Sequence, residues 1–260
     1  MEVEKREKAK LLKERDGVFM RMSPLAGRIV SIEGLIGAGK STLGAALCDF
    51  ANAHGMRARF FPESVNVAYL NLYLSDMKKY AFGFQMDALQ RRIAIHREAA
   101  AFARKGGLAI VDRGVPGDIA FALMQCDAGF FSSAEWDVYA EEIKRASIFA
   151  ADLVLRLDVD PLVCLERVKR RNHSAESVYT AEYMRALDTA TDRALASYYV
   201  GPMHRLDWNG DQSADGKSLV ALSDVICERV MGSNVSCFVR AYWRVPCATV
   251  EEDDLMIFDH

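Results

Sequence analysis

A run of glycine, lysine and hydroxyl residues near the start of the chain has the composition of a phosphate-binding loop. The segment GLIGAGKST, residues 34–42, follows a short apolar run and matches G-x-x-x-x-G-K-[ST]. Glycines let the backbone turn tightly, so that successive N–H groups and the positive end of the next helix converge on one phosphate. The lysine would then bridge the β- and γ-phosphates of ATP, and the serine would bind Mg²⁺. The predicted ATP-binding residues of this loop are Gly34, Gly37, Ala38, Gly39, Lys40, Ser41 and Thr42.

Acidic residues at the ends of two further apolar runs could complete a phosphoryl-transfer site. Glu63 ends RARFFPE, and Asp112 and Arg113 end LAIVDR. A kinase needs a carboxylate beside the acceptor hydroxyl and a second anchor for Mg²⁺. We predict that Glu63 is the general base, that Asp112 binds Mg²⁺ or its water, and that Arg113 binds an acceptor oxygen. The alternatives are a solvated or helix-capping glutamate and a simple Asp–Arg ion pair.

A cluster of basic residues follows the fourth apolar run. Within CLERVKRRNHSAES, Arg167 and Arg171 are four residues apart and therefore share one face of a helix. Two guanidinium groups there could bind the transferring phosphoryl group as part of a lid. A solvated basic face is the alternative.

These residues lie in a chain that alternates short apolar runs with longer helical patterns. The predicted strands are residues 28–33, 57–63, 108–113, 152–159 and 204–209. The predicted helices are residues 40–54, 84–105, 118–128, 134–149, 161–171, 180–199 and 216–231. This alternation predicts an α/β fold with a parallel sheet, in which functional groups gather at the carboxyl ends of the strands. The predicted domain covers residues 25–231, between a charged arm at 1–24 and an extension at 232–260.

Composition limits the function classes. The 260 residues carry a formal net charge of −3, so no overall basic field points to a nucleic-acid polymer. No apolar run is long enough to span a membrane. The acidic residues among the first lysines do not fit a transit peptide or a secretory signal, so we expect a cytoplasmic protein.

Six motifs in order along the chain resemble those of the deoxyribonucleoside kinase family. They are GLIGAGKST, PESV, FQMDALQRR, DRGVPGD, CLERVKRRNHSAE and LDWNGD, and they extend from about residue 28 to residue 211. The resemblance implies a P-loop nucleoside-kinase fold with a five-stranded parallel sheet flanked by helices and an arginine-bearing lid. It also implies ATP and Mg²⁺ as cosubstrate and cofactor, a deoxynucleoside as substrate, and a homodimer.

The resemblance assigns roles residue by residue. Glu63 would activate the sugar 5′-hydroxyl, which Arg113 would hold, while Asp112 would take the acidic role on the metal side. Arg167 and Arg171 would bind the phosphates as lid arginines. The substrate-binding residues that it implies are Ile36, Glu63, Tyr73, Phe84, Gln85, Arg92, Arg113, Asp118 and Glu176, and Asp211 would lie beside the donor adenine. Among these, Phe84 would stack on the base, and Glu176 and Tyr73 would bind the 3′-hydroxyl.

Departures from the family pattern concern the substrate more than the reaction. Ala68 stands where the family usually has tryptophan, Gly114 replaces serine, and His173 replaces the third lid arginine. Gln85 can pair with a base edge through both ends of its amide. Arg92 and Asp118 together favour a base with an exocyclic amine or N7, as in cytosine, adenine or guanine, over thymine.

Two other functions share part of this pattern. A thymidylate or other nucleoside monophosphate kinase would carry the same phosphate loop, but it needs a cation where FPESVNV has a carboxylate. A non-catalytic relative of the fold would not require Lys40, Glu63 and Arg113 together. Incubation with ATP and a nucleoside separates these possibilities.

Overall fold

The computed structural model describes Met22 and residues 25–146, 151–171, 179–210 and 216–231. The described strands are β1 (Ile29–Glu33), β2 (Ala58–Phe61), β3 (Leu108–Asp112), β4 (Leu153–Asp158) and β5 (Met203–Asp207). The described helices of seven or more residues are α1 (Lys40–Ala53), α2 (Val67–Ser75), α3 (Met77–Ala103), α4 (Val115–Asp127), α5 (Ser133–Ala146), α6 (Pro161–Arg171), α7 (Ala181–Tyr198) and α8 (Gly216–Met231). The predicted five-stranded parallel sheet flanked by helices is confirmed.

The order of the strands brings the predicted functional residues to one edge of the sheet. The order is β2-β3-β1-β4-β5, and every neighbouring pair is parallel. Strands β1 and β3 are buried along their whole length, as expected for central strands covered on both faces. Ile32 pairs with Asp112, so β1 and β3 end side by side, and β2 ends next to β3.

Two helix boundaries differ from the prediction because of capping residues. The predicted helix at 84–105 begins instead at Met77, and α2, which was not predicted, precedes it. The side chains of Asn66 and Asp76 each accept a hydrogen bond from the backbone N–H three residues later, at 3.2 and 3.1 Å. Such caps fix where a helix starts whatever the apolar period of the residues that follow.

Helix α4 also begins earlier than predicted. It starts at Val115 rather than at residue 118, with Pro116 in its first turn, where the lack of an N–H matters least. Asp118 therefore lies in the first turn of α4, near the positive end of the helix dipole, and its side chain is buried.

The predicted arm at 1–24 and extension at 232–260 lie outside the described residues, except for the buried Met22. Within the described part of the chain, no helix is both long and apolar enough to cross a bilayer.

Helix α6 fixes the middle of the phosphate loop. Gly37 has a φ of 80°, and a Cβ atom added there would lie 2.6 Å from the carbonyl oxygen of Cys164 and 2.9 Å from Val168. Only glycine combines this left-handed conformation with so close an approach of the two backbones.

We expect Gly37→Ala to destabilise the fold more than Gly106→Ala. Gly106 also has a φ of 80°, but a Cβ atom there would meet nothing within 4 Å, so this variant isolates the backbone strain. The clash with α6 should add roughly 1–3 kcal/mol to the free-energy loss. Urea unfolding of both variants measures the difference, and equal losses would contradict the proposed contact between the loop and α6.

Candidate active site

The phosphate loop surrounds a buried lysine. Lys40, the first residue of α1, is only 7% exposed, and its ammonium group donates to the carbonyl oxygen of Leu35 at 2.9 Å. Burial, reinforced by the positive charge of Arg113, lowers the pKa of Lys40 to about 8. A buried ammonium group with one hydrogen bond retains donors for an anion above the loop.

The two residues predicted to bind the metal are in contact. The Ser41 hydroxyl donates to Asp112 Oδ2 across the ends of α1 and β3. The other carboxylate oxygen of Asp112 is buried and has no hydrogen-bond partner among the described residues. An unpartnered carboxylate oxygen beside a hydroxyl fits a hard cation such as Mg²⁺, which takes oxygen ligands and keeps several waters.

Glu63 lies between two arginines. Its Oε1 atom accepts from Arg92 Nη2 at 2.7 Å and lies 3.3 Å from Arg113 Nε. Burial alone would raise the pKa of Glu63, but the charges of Arg113, Arg92 and Lys40 outweigh it and lower this pKa to about 2. The carboxylate is therefore ionised at any physiological pH, and its side chain stays 28% exposed towards the cavity.

Arg113 has an unusual backbone and an incompletely paired side chain. It is the only non-glycine residue with positive φ in the described part of the chain, at 69°. Its side chain is 1% exposed, and its Nε and Nη1 atoms have no hydrogen-bond partner among the described residues. The guanidinium carbon lies 4.8 Å from the centre of the Phe121 ring. Strain and unused donors of this kind are typical of functional sites.

A second buried carboxyl group, Glu33, was not predicted as a site residue. It is fully buried at the end of β1 and accepts from the Gly114 N–H at 2.5 Å and from the Ser31 hydroxyl at 2.9 Å. Burial raises its pKa, while the charge of Arg113 opposes this effect. Glu33 thus anchors the turn that carries Arg113. A lone glutamate at the end of an otherwise apolar strand was the available signal.

At the far end of the site, Asp118 accepts hydrogen bonds from three side chains. Its Oδ2 accepts from Arg92 Nε at 2.8 Å, and its Oδ1 accepts from Tyr139 at 2.7 Å and from Gln85 Nε2 at 2.7 Å. Gln85 Oε1 accepts in turn from Gln125 Nε2 at 3.0 Å. The predicted residues Gln85, Arg92 and Asp118 are therefore one network, which includes Gln125 and Tyr139 as members that the sequence did not indicate.

Tyr73, Phe84, Tyr179 and Tyr183 also line the cavity. Tyr73 stacks on Phe84 with ring centres 4.9 Å apart and an interplanar angle of 10°. Tyr69 meets the edge of the same ring at 5.9 Å, and Tyr179 stacks on Tyr183 at 4.9 Å. Planar rings of this kind suit contact with a flat heterocycle.

Most of the predicted residues line one cavity of about 300 Å³. Those that line it are Ile36, Gly37, Lys40, Ser41, Glu63, Tyr73, Phe84, Gln85, Arg92, Asp112, Arg113, Asp118 and Arg171. The remaining loop residues Gly34, Ala38, Gly39 and Thr42 continue the phosphate loop and the start of α1 beside it. Glu176 and Asp211 lie outside the described residues.

The two predicted lid arginines point in different directions. Arg171 lines the cavity, whereas Arg167 binds backbone carbonyl groups. Arg167 donates to Ala38 O at 3.4 Å and to the carbonyl oxygens of residues 208–210 at 3.0 to 3.2 Å. It thus connects the phosphate loop to the segment after β5, and its catalytic role stays a prediction.

Comparison with known proteins gives consistent relatives. The family model for deoxynucleoside kinases matches residues 30–230, within the domain predicted at 25–231. The deoxyadenosine kinase of Dictyostelium discoideum is 33% identical over 189 residues, which cover 71% of this chain and 74% of that protein. The deoxyguanosine kinase of the same organism is 28% identical over 187 residues, or 70% of this chain and 64% of that protein.

A solved structure supports the same fold. The deoxyadenosine kinase of M. mycoides with bound dCTP superimposes with a TM-score of 0.58 at 21% identity, covering 79% of this chain and all of that one. At this identity the likeness concerns the fold, and the family rests on the sequence match over residues 30–230. The chain therefore belongs to the deoxynucleoside kinase family, and its reaction is the ATP-dependent phosphorylation of a deoxynucleoside.

Proposed function

We propose that the chain transfers the γ-phosphoryl group of ATP to the 5′-hydroxyl of a deoxynucleoside whose base carries an exocyclic amine. The observation that carries this proposal is the position of Glu63 in the same cavity as Lys40, Ser41 and Asp112. An ionised carboxylate paired with two arginines there faces an acceptor across from the phosphate loop. Family membership supports the reaction, and the cavity geometry supports the individual roles.

The transfer needs few covalent steps from the protein. The 5′ oxygen forms a bond to the γ-phosphorus as the bond to the β–γ bridging oxygen breaks, and ADP leaves. Glu63 accepts the hydroxyl proton, while the unused donors of Arg113 hold the hydroxyl oxygen. Because the transition state is loose, orienting the hydroxyl matters more than a strong base, so a carboxylate with a pKa of about 2 is adequate.

The donor end supplies positive charge. Lys40 and the loop N–H groups would bind the triphosphate, and Arg171, which lines the cavity, would contact its outer phosphate. Ser41 and Asp112 would hold Mg²⁺, which when bound neutralises phosphate charge during the transfer. Arg167 would sit beside the donor nucleotide through its contacts with residues 208–210.

The polar wall favours an amine on the base. Asp118 engages the amide nitrogen of Gln85, so this wall offers a ligand acceptors: the second lone pairs of Gln85 Oε1 and Asp118 Oδ2, which already accept from Gln125 and Arg92. An exocyclic N–H₂ of cytosine or a purine can donate to them, whereas thymine offers O4, another acceptor.

The homodimer and the cytoplasmic location are further proposals, and both rest on the resemblance and composition.

The competing monophosphate kinase would have to bind an anion beside Glu63. The arginines near it, Arg92 and Arg113, already neutralise that carboxylate. A substrate phosphate would therefore have to compete with that carboxylate for the same arginines. A neutral sugar hydroxyl would not.

A phosphorylation screen tests the proposal directly. Labelled ATP is supplied with the four deoxynucleosides, their ribose analogues and thymidylate. We expect 5′-monophosphates from deoxycytidine or the purine deoxynucleosides, less from thymidine and the ribose analogues, and no product from thymidylate. Phosphorylation of thymidylate alone would instead identify a monophosphate kinase.

We expect Glu63→Gln to retain ATP binding and to lose most of its turnover. Removing a general base typically lowers the rate by about 10²- to 10⁴-fold. Glu98→Gln is the matched control, because Glu98 does not line the cavity and its side chain is 64% exposed. Its carboxylate forms an ion pair with Arg59 at 3.5 Å. Steady-state rates, ATP titration and melting curves distinguish a loss of catalysis from a loss of folding. Near-normal turnover in Glu63→Gln would reject Glu63 as the general base.

We expect ATP binding to take up protons above about pH 8. Lys40 has a pKa of about 8 in the free protein, and a bound triphosphate favours its charged form. Below this pH Lys40 is already charged, so the affinity for ATP should not change with pH. Above it, the affinity for ATP should fall, because the neutral amine must be protonated on binding. Calorimetry at pH 9 in two buffers of different ionisation enthalpy measures the uptake. Lys40→Arg should abolish it, and equal apparent enthalpies for the wild type would contradict the expectation.

A further inference from the structure

Arg92 connects three separate parts of the chain through one guanidinium group. Its Nε donates to Asp118 Oδ2 on α4 at 2.8 Å, and its Nη1 donates to the backbone carbonyl oxygen of Arg113 at 3.0 Å. Its Nη2 donates to Glu63 Oε1, in the segment between β2 and α2, at 2.7 Å. The side chain is 7% exposed and the guanidinium group is planar, so these three contacts fix its position. The carboxylate predicted to face the base and the proposed general base therefore bond to the same rigid group.

The hydrogen bond from Arg92 leaves one oxygen of Glu63 available. Both neighbouring arginines approach Oε1, and no described residue donates to Oε2. The side chain of Glu63 is 28% exposed and lines the cavity. Because the terminal torsion of glutamate is broad, a carboxylate in this position needs a donor to fix its plane. Arg92 supplies that donor, and Oε2 remains to accept the proton of a substrate hydroxyl.

Arg92 also keeps the donors of Arg113 available. Arg113 Nε lies 3.3 Å from Glu63 Oε1, yet neither Nε nor Nη1 of Arg113 has a hydrogen-bond partner among the described residues. Without Arg92, the ionised carboxylate of Glu63 would rely on Arg113 and would take these donors. The donors proposed to hold the 5′-hydroxyl would then be occupied.

We propose that Arg92 is a positioning residue for phosphoryl transfer, in addition to its predicted place at the base. It holds one oxygen of Glu63, which directs the other oxygen to the acceptor hydroxyl and leaves Arg113 to bind that hydroxyl. This inference rests on the proposed role of Glu63 as general base. It assigns to Arg92 an effect on the rate of transfer, and not only on the affinity for the nucleoside.

A double-mutant cycle measures the effect that passes through Glu63. The rate of phosphoryl transfer in a single turnover, at saturating ATP and deoxynucleoside, is measured in the wild type, Arg92→Met, Glu63→Gln and the double variant. We expect Arg92→Met to lower this rate roughly 10- to 100-fold when Glu63 is present, the scale of one hydrogen bond to a charged group. In the Glu63→Gln background no carboxylate remains to be positioned, so we expect a further loss of about threefold or less.

The cycle separates this effect from the other contacts of Arg92. The hydrogen bonds to Asp118 and to the Arg113 carbonyl group are lost in both backgrounds, so their effects cancel in the comparison. The KM for the nucleoside should rise in both backgrounds, because the contact with Asp118 does not involve Glu63. Equal losses of rate in the two backgrounds would overturn the inference while the proposed function stands.

Arg92→Lys provides a second variant in case Arg92→Met does not fold. An ammonium group keeps the positive charge beside Glu63 and Asp118 but lacks the planar fork that binds three acceptors at once. We expect a smaller loss of rate than in Arg92→Met, again only where Glu63 is present. Melting curves and ATP titration of each variant give the folded fraction by which its rate is corrected.

The acid limb of the pH–rate profile adds a readout that a purely structural role would not move. The charges of Arg113, Arg92 and Lys40 lower the pKa of Glu63 to about 2, so removing Arg92 should raise this pKa. Glu63 acts in its ionised form, so the rate in Arg92→Met should begin to fall at a higher pH than in the wild type. Acid limbs at the same pH in both proteins would contradict the inference.

Two other groups beside these residues titrate, and the same variants control for them. Lys40 has a pKa of about 8, so it stays charged throughout the acid range. Burial and the charge of Arg92 lower the pKa of His96 to about 4. The double variant retains His96 and lacks the carboxylate of Glu63, so its profile shows the contribution of the histidine alone.

Arg59 and Glu98 form the matched control cycle. They are an arginine–glutamate pair 3.5 Å apart, their side chains are 56% and 64% exposed, and neither lines the cavity. Arg59→Met and Glu98→Gln should leave the transfer rate and the KM for ATP unchanged. Near-normal turnover in Glu63→Gln rejects the proposed base and the inference with it. Absence of turnover with every deoxynucleoside in the wild type overturns the proposed function itself.

Discussion

The carboxylate of Glu63, shared by two buried arginines, is the interaction on which the site depends. Arg92 and Arg113 expose only 7% and 1% of their side chains, and a buried cation is strongly unfavourable unless it is paired. Asp118 provides a second counter-charge for Arg92. Among the described carboxylates, Glu63 contacts both arginines and also faces the cavity. The charge balance of the fold and the geometry proposed for the reaction therefore depend on the same oxygen atom.

The sheet topology explains how these charges meet. In a parallel sheet the carboxyl ends of neighbouring strands lie at one edge, and β2, β3 and β1 contribute Glu63, Asp112 and Glu33 there. In the turn after β3, Arg113 adopts a left-handed conformation with a φ of 69°. A left-handed arginine is unfavourable by roughly 1–2 kcal/mol. The Glu33 hydrogen bond to Gly114 and the neighbouring charges hold it in place.

The sequence predicted those parts of the site that follow local rules. The phosphate loop has a fixed spacing, the strands are apolar runs, and Glu63 and Asp112 mark strand ends, so all five strands and the phosphate end of the cavity were expected from the residues themselves. Gln85, Arg92 and Asp118 were expected only from the resemblance to the family. Helix α2 and the start of α3 depend on single capping residues, which the spacing of apolar residues does not indicate. Gln125 and Tyr139 could not be identified, because their partners lie on other helices and an isolated glutamine or tyrosine in a helical pattern has many possible environments. The hydrogen bonds of Arg167 to backbone carbonyl groups could not be predicted either, because every residue carries such an acceptor.

The free site also contains groups that the protein itself leaves unpaired. Among the described residues these include Asp112 Oδ1 and Arg113 Nη1, both buried. A buried group of this kind favours a hydrogen-bonding partner by about 1–3 kcal/mol over none. A carboxylate oxygen needs a cation or a donor, and a guanidinium group needs an acceptor oxygen. A metal–triphosphate complex would supply the partner of the carboxylate, and a sugar hydroxyl would supply that of the guanidinium group. Polar atoms that have no partner within the protein are therefore available to bind the ligands. These groups therefore indicate a site organised in advance for two polar ligands.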